Sequence, residues 1–204
     1  MSLNTLSTGA ALWRAQLPGL HLWLKLFVLG GLLGALCDQI HVQGQVLSYA
    51  EPLFAGQAWW VAPNFGLATC VMYLTTSLWV RWSERLAPAP VTRGELARHA
   101  LWFLAAYGLS AGMQLKPLWL TMLYAILFVR RLLRRNDVGP QLANALCLAA
   151  GGTLAESALA STGAFAYRAP DLGYVPMWLP GIYLHGSLLA MAVVRALRQR
   201  GRLG

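Results

Sequence analysis

Charge is scarce in this chain of 204 residues, because only 11% of the side chains are Asp, Glu, Lys or Arg. A soluble domain of this size carries about a quarter charged residues. Hydrophobic residues make up 57% of the chain and gather into runs of roughly 20 residues, the length of a helix that crosses a bilayer. These runs exclude a soluble globular domain and predict an all-α polytopic membrane protein.

Cysteine is also rare, and its positions argue against disulfides and metal. Cys37, Cys70 and Cys147 each lie inside an apolar run, where a small buried side chain is the expected role. No CxxC motif or Cys/His cluster indicates a metal site. No Gly-rich phosphate loop and no Ser/His/Asp pattern is present. The sequence therefore predicts neither a cofactor nor a metal.

The net charge of +9 raises the question of nucleic acid, which the placement of the charges excludes. Lys and Arg lie in the gaps between the apolar runs and form neither one patch nor one helix face. This placement is typical of topology signals and of contacts with anionic lipid head groups.

The apolar runs predict six transmembrane spans in one domain that covers residues 1–204. Their predicted bounds are 22–40, 59–80, 96–114, 117–133, 141–163 and 178–197. Of the 16 Lys and Arg residues, 14 fall in the N-terminal lead and first span, the loops 81–98 and 130–140, and the C-terminal tail. By the positive-inside rule, both termini are expected in the cytoplasm. No internal repeat is evident and the spans look unbroken, which disfavours a transporter.

Three ionisable residues, Asp38, Glu156 and His185, fall inside predicted spans. Charges in lipid cost at least ~2.5 kcal/mol each, so such groups face the bundle interior and have partners. Glu156 and His185 lie at similar depths, about 10 Å below the ends of their spans, where they could meet. These residues either pin the helices together or line a cavity for a head group. Gln114, at the hairpin between spans three and four, is either a cap or a ligand contact.

Two segments resemble the Insig family of endoplasmic-reticulum sterol sensors and their bacterial homologues. One is Ala58-Trp59-Trp60-Val61-Ala62-Pro63, which is similar to the Trp-Trp-Val-Pro opening of the family's second span. The other runs from Gly163 through Tyr167, Pro170-Asp171 and Tyr174 to Trp178-Leu179-Pro180, and is similar to the loop that leads into the family's sixth span.

The resemblance implies a six-helix bundle around a cavity for an amphipathic lipid such as a sterol, diacylglycerol or isoprenoid. The expected ligand-binding residues are Gln114, Asp38, Glu156, His185, Trp60 and Tyr107. High Ala, Leu and Arg content indicates a bacterial inner membrane. The loop that eukaryotic members use with membrane partners is replaced by Arg130 to Gly139, so partner regulation is not implied. Homo-oligomerisation is left open by the sequence.

The stretch from Glu156 to Pro180 also resembles small membrane enzymes of carotenoid biosynthesis. Those cyclases and hydratases use intramembrane carboxylates to protonate polyene double bonds. The alternative function is therefore an enzyme that acts on an isoprenoid lipid, with Glu156 as the acid and His185 or Asp38 as its partner. The sequence favours the binding protein and leaves the enzyme open.

Overall fold

The computed structural model describes residues 19–201, and six helices account for most of them. Their bounds are α1 Leu20–Gln43, α2 Val61–Leu86, α3 Arg93–Met113, α4 Pro117–Leu132, α5 Val138–Ser161 and α6 Leu179–Gly201. The predicted helical class is confirmed. The predicted cytoplasmic lead with Arg14, and Arg202 in the tail, lie outside the described residues.

Three of the described helices are long and apolar enough to span a bilayer by length and composition: Leu20–Gln43, Val138–Ser161 and Leu179–Arg200. The surface of α1 supports a lipid environment. Leu29, Leu32, Leu33 and Leu36 on this helix are all more than half exposed. In contrast, α6 is largely buried because it contacts α2, α3, α4 and α5. Its Leu188 and Met191 are almost fully inaccessible.

Two short strands, which the all-helical prediction did not include, follow α1 and α5. Strand β1 (Leu47–Tyr49) pairs antiparallel with β2 (Phe165–Tyr167). Backbone N–H and C=O groups need hydrogen-bond partners wherever water is excluded. The two loops satisfy this need by pairing with each other, which no local signal in either loop reveals. This two-stranded ribbon marks one end of the bundle, called here the ribbon end.

An internal repeat underlies this arrangement and corrects the expectation that the chain has none. The second repeat lies 118 positions after the first, so residue 156 corresponds to residue 38, residue 165 to residue 47, and residue 178 to residue 60. With this offset, the last residue of α1 corresponds to the last residue of α5, and the first residue of α2 corresponds to the first residue of α6. The left-handed residues also coincide, with φ of 53° at Gln45 and 79° at Gly163. The argument against a transporter from a missing repeat no longer holds, although the helices remain unbroken.

The strand pairing shows how the two repeats are related. Leu47 pairs with Tyr167, Ser48 with Ala166, and Tyr49 with Phe165. Exchanging the two repeats leaves this register unchanged, which is the property of a two-fold axis between Ser48 and Ala166. The helix packing repeats as well, because Gly34 of α1 lies against Phe65 of α2 as Gly152 of α5 lies against Tyr183 of α6. The first repeat therefore consists of α1, β1 and α2, and the second of α5, β2 and α6; each is a helix–strand–helix hairpin.

Asp137 joins the helices at the end of the bundle opposite the ribbon. Its carboxylate, fully buried, accepts hydrogen bonds from Arg135 Nε at 2.8 Å, Gln141 Nε2 at 2.9 Å and the Ser83 hydroxyl. Arg195 Nη1 of α6 lies 3.7 Å from the same carboxylate. The position before α5 also favours a negative charge, because the free N–H groups of a helix start carry partial positive charge. This cluster links α2, α5 and α6.

Candidate functional site

Asp38, the first of the predicted site residues, is held by two donors at the ribbon end. The hydroxyl of Tyr49 in β1 donates to Asp38 Oδ2 at 2.8 Å. The side-chain amide of Gln57 donates to the same oxygen at 2.7 Å and to the Ala35 carbonyl at 2.8 Å. Asp38 is only 4% exposed, so these bonds replace most of the hydration that its carboxyl group would have in water.

Glu156 occupies the equivalent position in the second repeat. Tyr167 of β2 donates its hydroxyl to one carboxyl oxygen, and Tyr183 of α6 donates its hydroxyl to the other. The Tyr167 bond corresponds to the Tyr49 bond of the first repeat. Glu156 nevertheless remains partly exposed, as does Tyr183. Both oxygens of this carboxyl group, which lies on an apolar helix, therefore have hydrogen-bond partners within the protein.

The two carboxyl groups belong to one site. Asp38 and Glu156 are held by Tyr49 and Tyr167, which lie on the two strands that pair with each other. We call the set of these two residues and their donors the paired-carboxyl site; its donors are Tyr49, Gln57, Tyr167 and Tyr183. Among the described residues, no Lys, Arg or His forms an ion pair with either carboxyl group.

Aromatic rings connect the two halves of the paired-carboxyl site. Ring centroids are 5.3 Å apart for Trp60 and Tyr49, 5.9 Å for Tyr49 and Phe165, and 5.6 Å for Phe165 and Tyr167. The series continues from Tyr167 to Trp178 at 6.2 Å. Distances of 4.5–7 Å are typical of favourable aromatic pairs. Tyr49 and Tyr167, which hold the two carboxyl groups, are both members of this aromatic belt.

Tyr107 and Trp60, both predicted as site residues, lie at the paired-carboxyl site. Trp60 belongs to the aromatic belt. Tyr107 on α3 packs against the His41 ring with a centroid distance of 4.7 Å. The His41 ring in turn contacts Trp178. Helix α3 therefore contributes one wall of the same site.

Gln114 lies near this site but is engaged with the backbone. Its amide nitrogen donates to the carbonyl oxygen of Gly44 at 2.8 Å, and the residue is 7% exposed. Gly44 caps the end of α1 and Gln114 caps the end of α3. The contact therefore satisfies a carbonyl group that the end of α1 leaves without an intrahelical partner.

His185 is not brought together with Glu156. Its Nδ1 accepts from Arg131 Nη1 at 2.6 Å, and Arg131 Nη2 donates to His99 Nδ1 at 2.7 Å. The guanidinium carbon of Arg131 also lies 5.3 Å from the centre of the Trp102 ring. The hypothesis that paired Glu156 with His185 did not anticipate Arg131, because a helix-end arginine was assigned to topology alone.

A pocket of about 480 Å³ lies over the ribbon and draws its lining from both repeats. Tyr49 and Tyr167, which hold the two carboxyl groups, both line it. Val42, Pro52 and Arg168 complete much of its wall. The tyrosines thus connect the pocket with the two carboxyl groups.

Tyr49, Gln57, Tyr167 and Tyr183 were missed at the sequence level, although the sequence carries a signal for two of them. Gly34, Asp38, Tyr49, Pro52 and Trp60 recur with the same spacing as Gly152, Glu156, Tyr167, Pro170 and Trp178. The chemistry is retained at each position. A search for one acid and one tyrosine at a fixed interval would have found the paired groups.

Comparisons with known proteins give a match in structure but not in sequence. No family model matches the chain, and no curated protein matches it. Two crystal structures of the mycobacterial Insig homologue MvINS from Mycobacterium vanbaalenii align with it over 89% of this chain and 96% of theirs. The TM-scores are 0.68 and 0.66, and the sequence identities 21% and 22%.

The chain has an Insig fold. The resemblance seen in the segments around Trp60 and Tyr167 is therefore confirmed at the level of the fold. The Insig fold and the apolar helices together identify an integral membrane protein. One of the two MvINS structures is of a cross-linked trimer, which is a property of that protein.

Proposed function

We propose that the chain is a membrane-embedded, Insig-type protein that binds an amphipathic lipid. The observation that carries the proposal is the paired-carboxyl site beside an accessible pocket. A ligand pocket is expected to offer mostly apolar walls and a few convergent polar groups. Here Tyr49 and Tyr167 line the pocket while their hydroxyl groups donate to Asp38 and Glu156, and Val42 contributes apolar wall.

In this proposal the lipid head group contacts the carboxyl groups and tyrosine hydroxyls at the ribbon end. Trp60 and Tyr107 form walls next to it. Gln114 and His185 act indirectly, because their hydrogen bonds to Gly44 and Arg131 hold the neighbouring helices in place. Sterols, diacylglycerols and isoprenoids are the candidate ligand classes.

The enzyme alternative is not favoured by the contacts of Glu156. Both of its oxygens accept from tyrosine hydroxyls. Of its two candidate partners, His185 is engaged with Arg131, and Asp38 accepts from two uncharged donors. A general acid needs its catalytic partner within about 3 Å or through one water. Binding requires only that the carboxyl group lie beside the ligand, so binding is the function that we propose.

A lipid that stays bound to the protein through purification tests the proposed function. Native mass spectrometry of detergent-purified protein should show a lipid adduct, and the same spectra report the number of copies in the complex. Tyr167→Phe should lower the occupancy about tenfold, because one hydrogen bond of ~1.4 kcal/mol is lost at the site. Tyr174→Phe is the matched control, since Tyr174 is 56% exposed. Absence of any lipid adduct from the unaltered protein would contradict the proposal.

The topology is part of the same proposal: all six helices cross a bacterial inner membrane, with both termini in the cytoplasm and the ribbon end outside. The support is that 12 of the 14 Lys and Arg residues in the described part of the chain lie at the opposite end. Those arginines would contact anionic lipid head groups. An assembly of several copies, such as the MvINS structure displays, fits the proposal.

Labelling of single cysteines tests this orientation. In a protein with Cys37, Cys70 and Cys147 replaced by serine, Ala50→Cys should react with a membrane-impermeant maleimide added to intact cells. Pro90→Cys should react only after the cells are opened. Position 50 follows β1 at the ribbon end, and position 90 lies between α2 and α3 at the other end. Equal labelling of both positions in intact cells would overturn the orientation.

A further inference from the structure

Two arginines of α4 are adjacent in sequence but lie in different surroundings. Arg131 turns into the bundle, where its guanidinium donates to His185 and His99. Arg130 lies about 100° away around the helix and is exposed. Arg134 follows Arg130 by one helical turn and is exposed as well. Among the described residues, no acid forms an ion pair with Arg130 or Arg134.

Acids at the same end of the bundle are already engaged elsewhere. Glu95 and Asp137 are bound to Arg135, at 3.0 and 2.8 Å. Neither therefore supplies a counter-ion for Arg130 and Arg134. Two neighbouring guanidinium groups without a counter-ion attract an anion, and the attraction is stronger where the surroundings are apolar. The exposed side of α4 thus combines unneutralised positive charge with a helix that faces lipid.

The short length of α4 adds to the need for a partner. In the proposed orientation, the exposed Trp119 marks the outer membrane interface, where tryptophan is enriched. Arg130 follows Trp119 by 11 positions, which is roughly 16 Å along a helix. The hydrocarbon core of a bilayer is about 30 Å thick. Arg130 therefore begins below the inner head groups, and a charge at that depth draws head groups towards it.

An open groove of about 510 Å³ lies beside Arg130 on the exposed side of α4. We call it the α4 groove; its lining residues are Ala125, Ile126, Val129, Arg130 and Leu133. Apart from the arginine, the lining is entirely apolar. Ile126 and Leu133 are both more than half exposed, so no other described helix covers the groove. A hydrocarbon chain in the α4 groove would place its head group beside Arg130.

We propose that the exposed side of α4 binds one anionic phospholipid of the inner leaflet, whose phosphate is held by Arg130 and Arg134 and whose acyl chain lies in the α4 groove. A guanidinium donates two parallel N–H groups to phosphate oxygens. A zwitterionic lipid carries its own cation beside the phosphate and gains less from two arginines. The inference rests on the proposed membrane orientation and is independent of the lipid pocket proposed at the ribbon end.

Two phospholipids with identical chains test the inference: palmitoyl-oleoyl phosphatidylglycerol, which is anionic, and palmitoyl-oleoyl phosphatidylcholine, which is zwitterionic. Each is titrated into the purified protein in an uncharged detergent, and native mass spectrometry counts the bound lipids. Phosphatidylglycerol should bind at least about tenfold more tightly, because each arginine near an anionic lipid contributes about a factor of five. This comparison uses the unaltered protein and does not depend on any variant folding.

Substitutions then locate the site. Arg130→Gln should lower phosphatidylglycerol affinity about fivefold and leave phosphatidylcholine affinity nearly unchanged. Arg93→Gln is the matched control, because Arg93 is an exposed arginine at the same end of the bundle, at the start of α3. Ala125→Trp fills the α4 groove and should weaken binding of both lipids. Ala150→Trp, at an exposed alanine of α5, should weaken neither.

The outcomes separate this site from the one at the ribbon end. Equal affinities for the two phospholipids would overturn the inference, and so would equal losses for Arg130→Gln and Arg93→Gln. Tyr167→Phe, which alters the ribbon end, should leave phosphatidylglycerol affinity unchanged. A loss in that variant would assign the bound lipid to the ribbon end, which would overturn the α4 site and leave the proposed function standing.

Discussion

Replacing Asp137 with alanine is expected to lower the free energy of unfolding by about 3–5 kcal/mol, the range for breaking a buried ion pair. Asp137 is 0% exposed and accepts from Arg135, Gln141 and Ser83. Its loss would leave Arg195, itself 3% exposed, without the nearby carboxylate. Thermal or denaturant unfolding of the protein in detergent micelles measures the change.

Glu51→Ala provides the control, since it removes an exposed carboxylate from a loop. It should change stability by less than about 0.5 kcal/mol. Similar losses for the two substitutions would show that the cluster around Asp137 does not stabilise the bundle.

The contribution of Asp137 to the free energy of unfolding should also depend on pH. Burial by itself would raise the pKa of Asp137, but hydrogen bonds from Arg135, Ser83 and Gln141, with the charge of Arg135, lower it overall. A carboxyl group whose pKa is lower in the folded state stabilises the fold above its unfolded pKa of about 4. This stabilisation is lost as the pH falls through the folded pKa. Asp137→Asn should therefore flatten the loss of stability below about pH 4.

Trp178→Ala is expected to destabilise the protein by about 3–5 kcal/mol, as for other large core truncations. Trp178 is 1% exposed and packs against the rings of His41 and Tyr167. Trp60 holds the same place in the first repeat but is only partly buried. Trp60→Ala should therefore cost about 1–2 kcal/mol. Unfolding midpoints of the two variants in the same detergent give the comparison.

The difference between these tryptophans follows from the position of the α3–α4 hairpin. Helix α3 packs on α6, the second helix of the second repeat, and its Tyr107 side chain reaches His41 beside Trp178. The first repeat has no equivalent hairpin among the described residues. Equal losses for the two substitutions would mean that the hairpin does not shield Trp178 in this way.

Much of the helical architecture was predictable, because it depends on local properties of the chain. Long apolar runs bounded by arginine, proline and glycine predicted helices, and Pro117 does stand at the first position of α4. The resemblance of the two loops to the Insig family predicted the fold. The acids Asp38 and Glu156 stood out because a charge in an apolar run is costly wherever it finally lies.

The partners of those acids were not predictable in the same way. Gln57 and Tyr183 reach Asp38 and Glu156 only after the helices have packed. The depth of His185 suggested Glu156 as a partner, but depth along a helix does not specify the face on which a side chain lies. Arg131 reaches His185 from a helix end that the sequence assigned to the membrane surface.

By itself the sequence determined that this protein is helical and embedded in a membrane, and it marked the residues whose burial needs a partner. These properties follow from composition and from the length of apolar runs, which act locally. Only the tertiary structure decided that Asp38 and Glu156 form one site, that the loops pair as a ribbon, and that Trp178 is fully buried while Trp60 is only partly buried. Each of these depends on contacts between segments about a hundred residues apart, and their geometry is set when the two repeats pack around the α3–α4 hairpin.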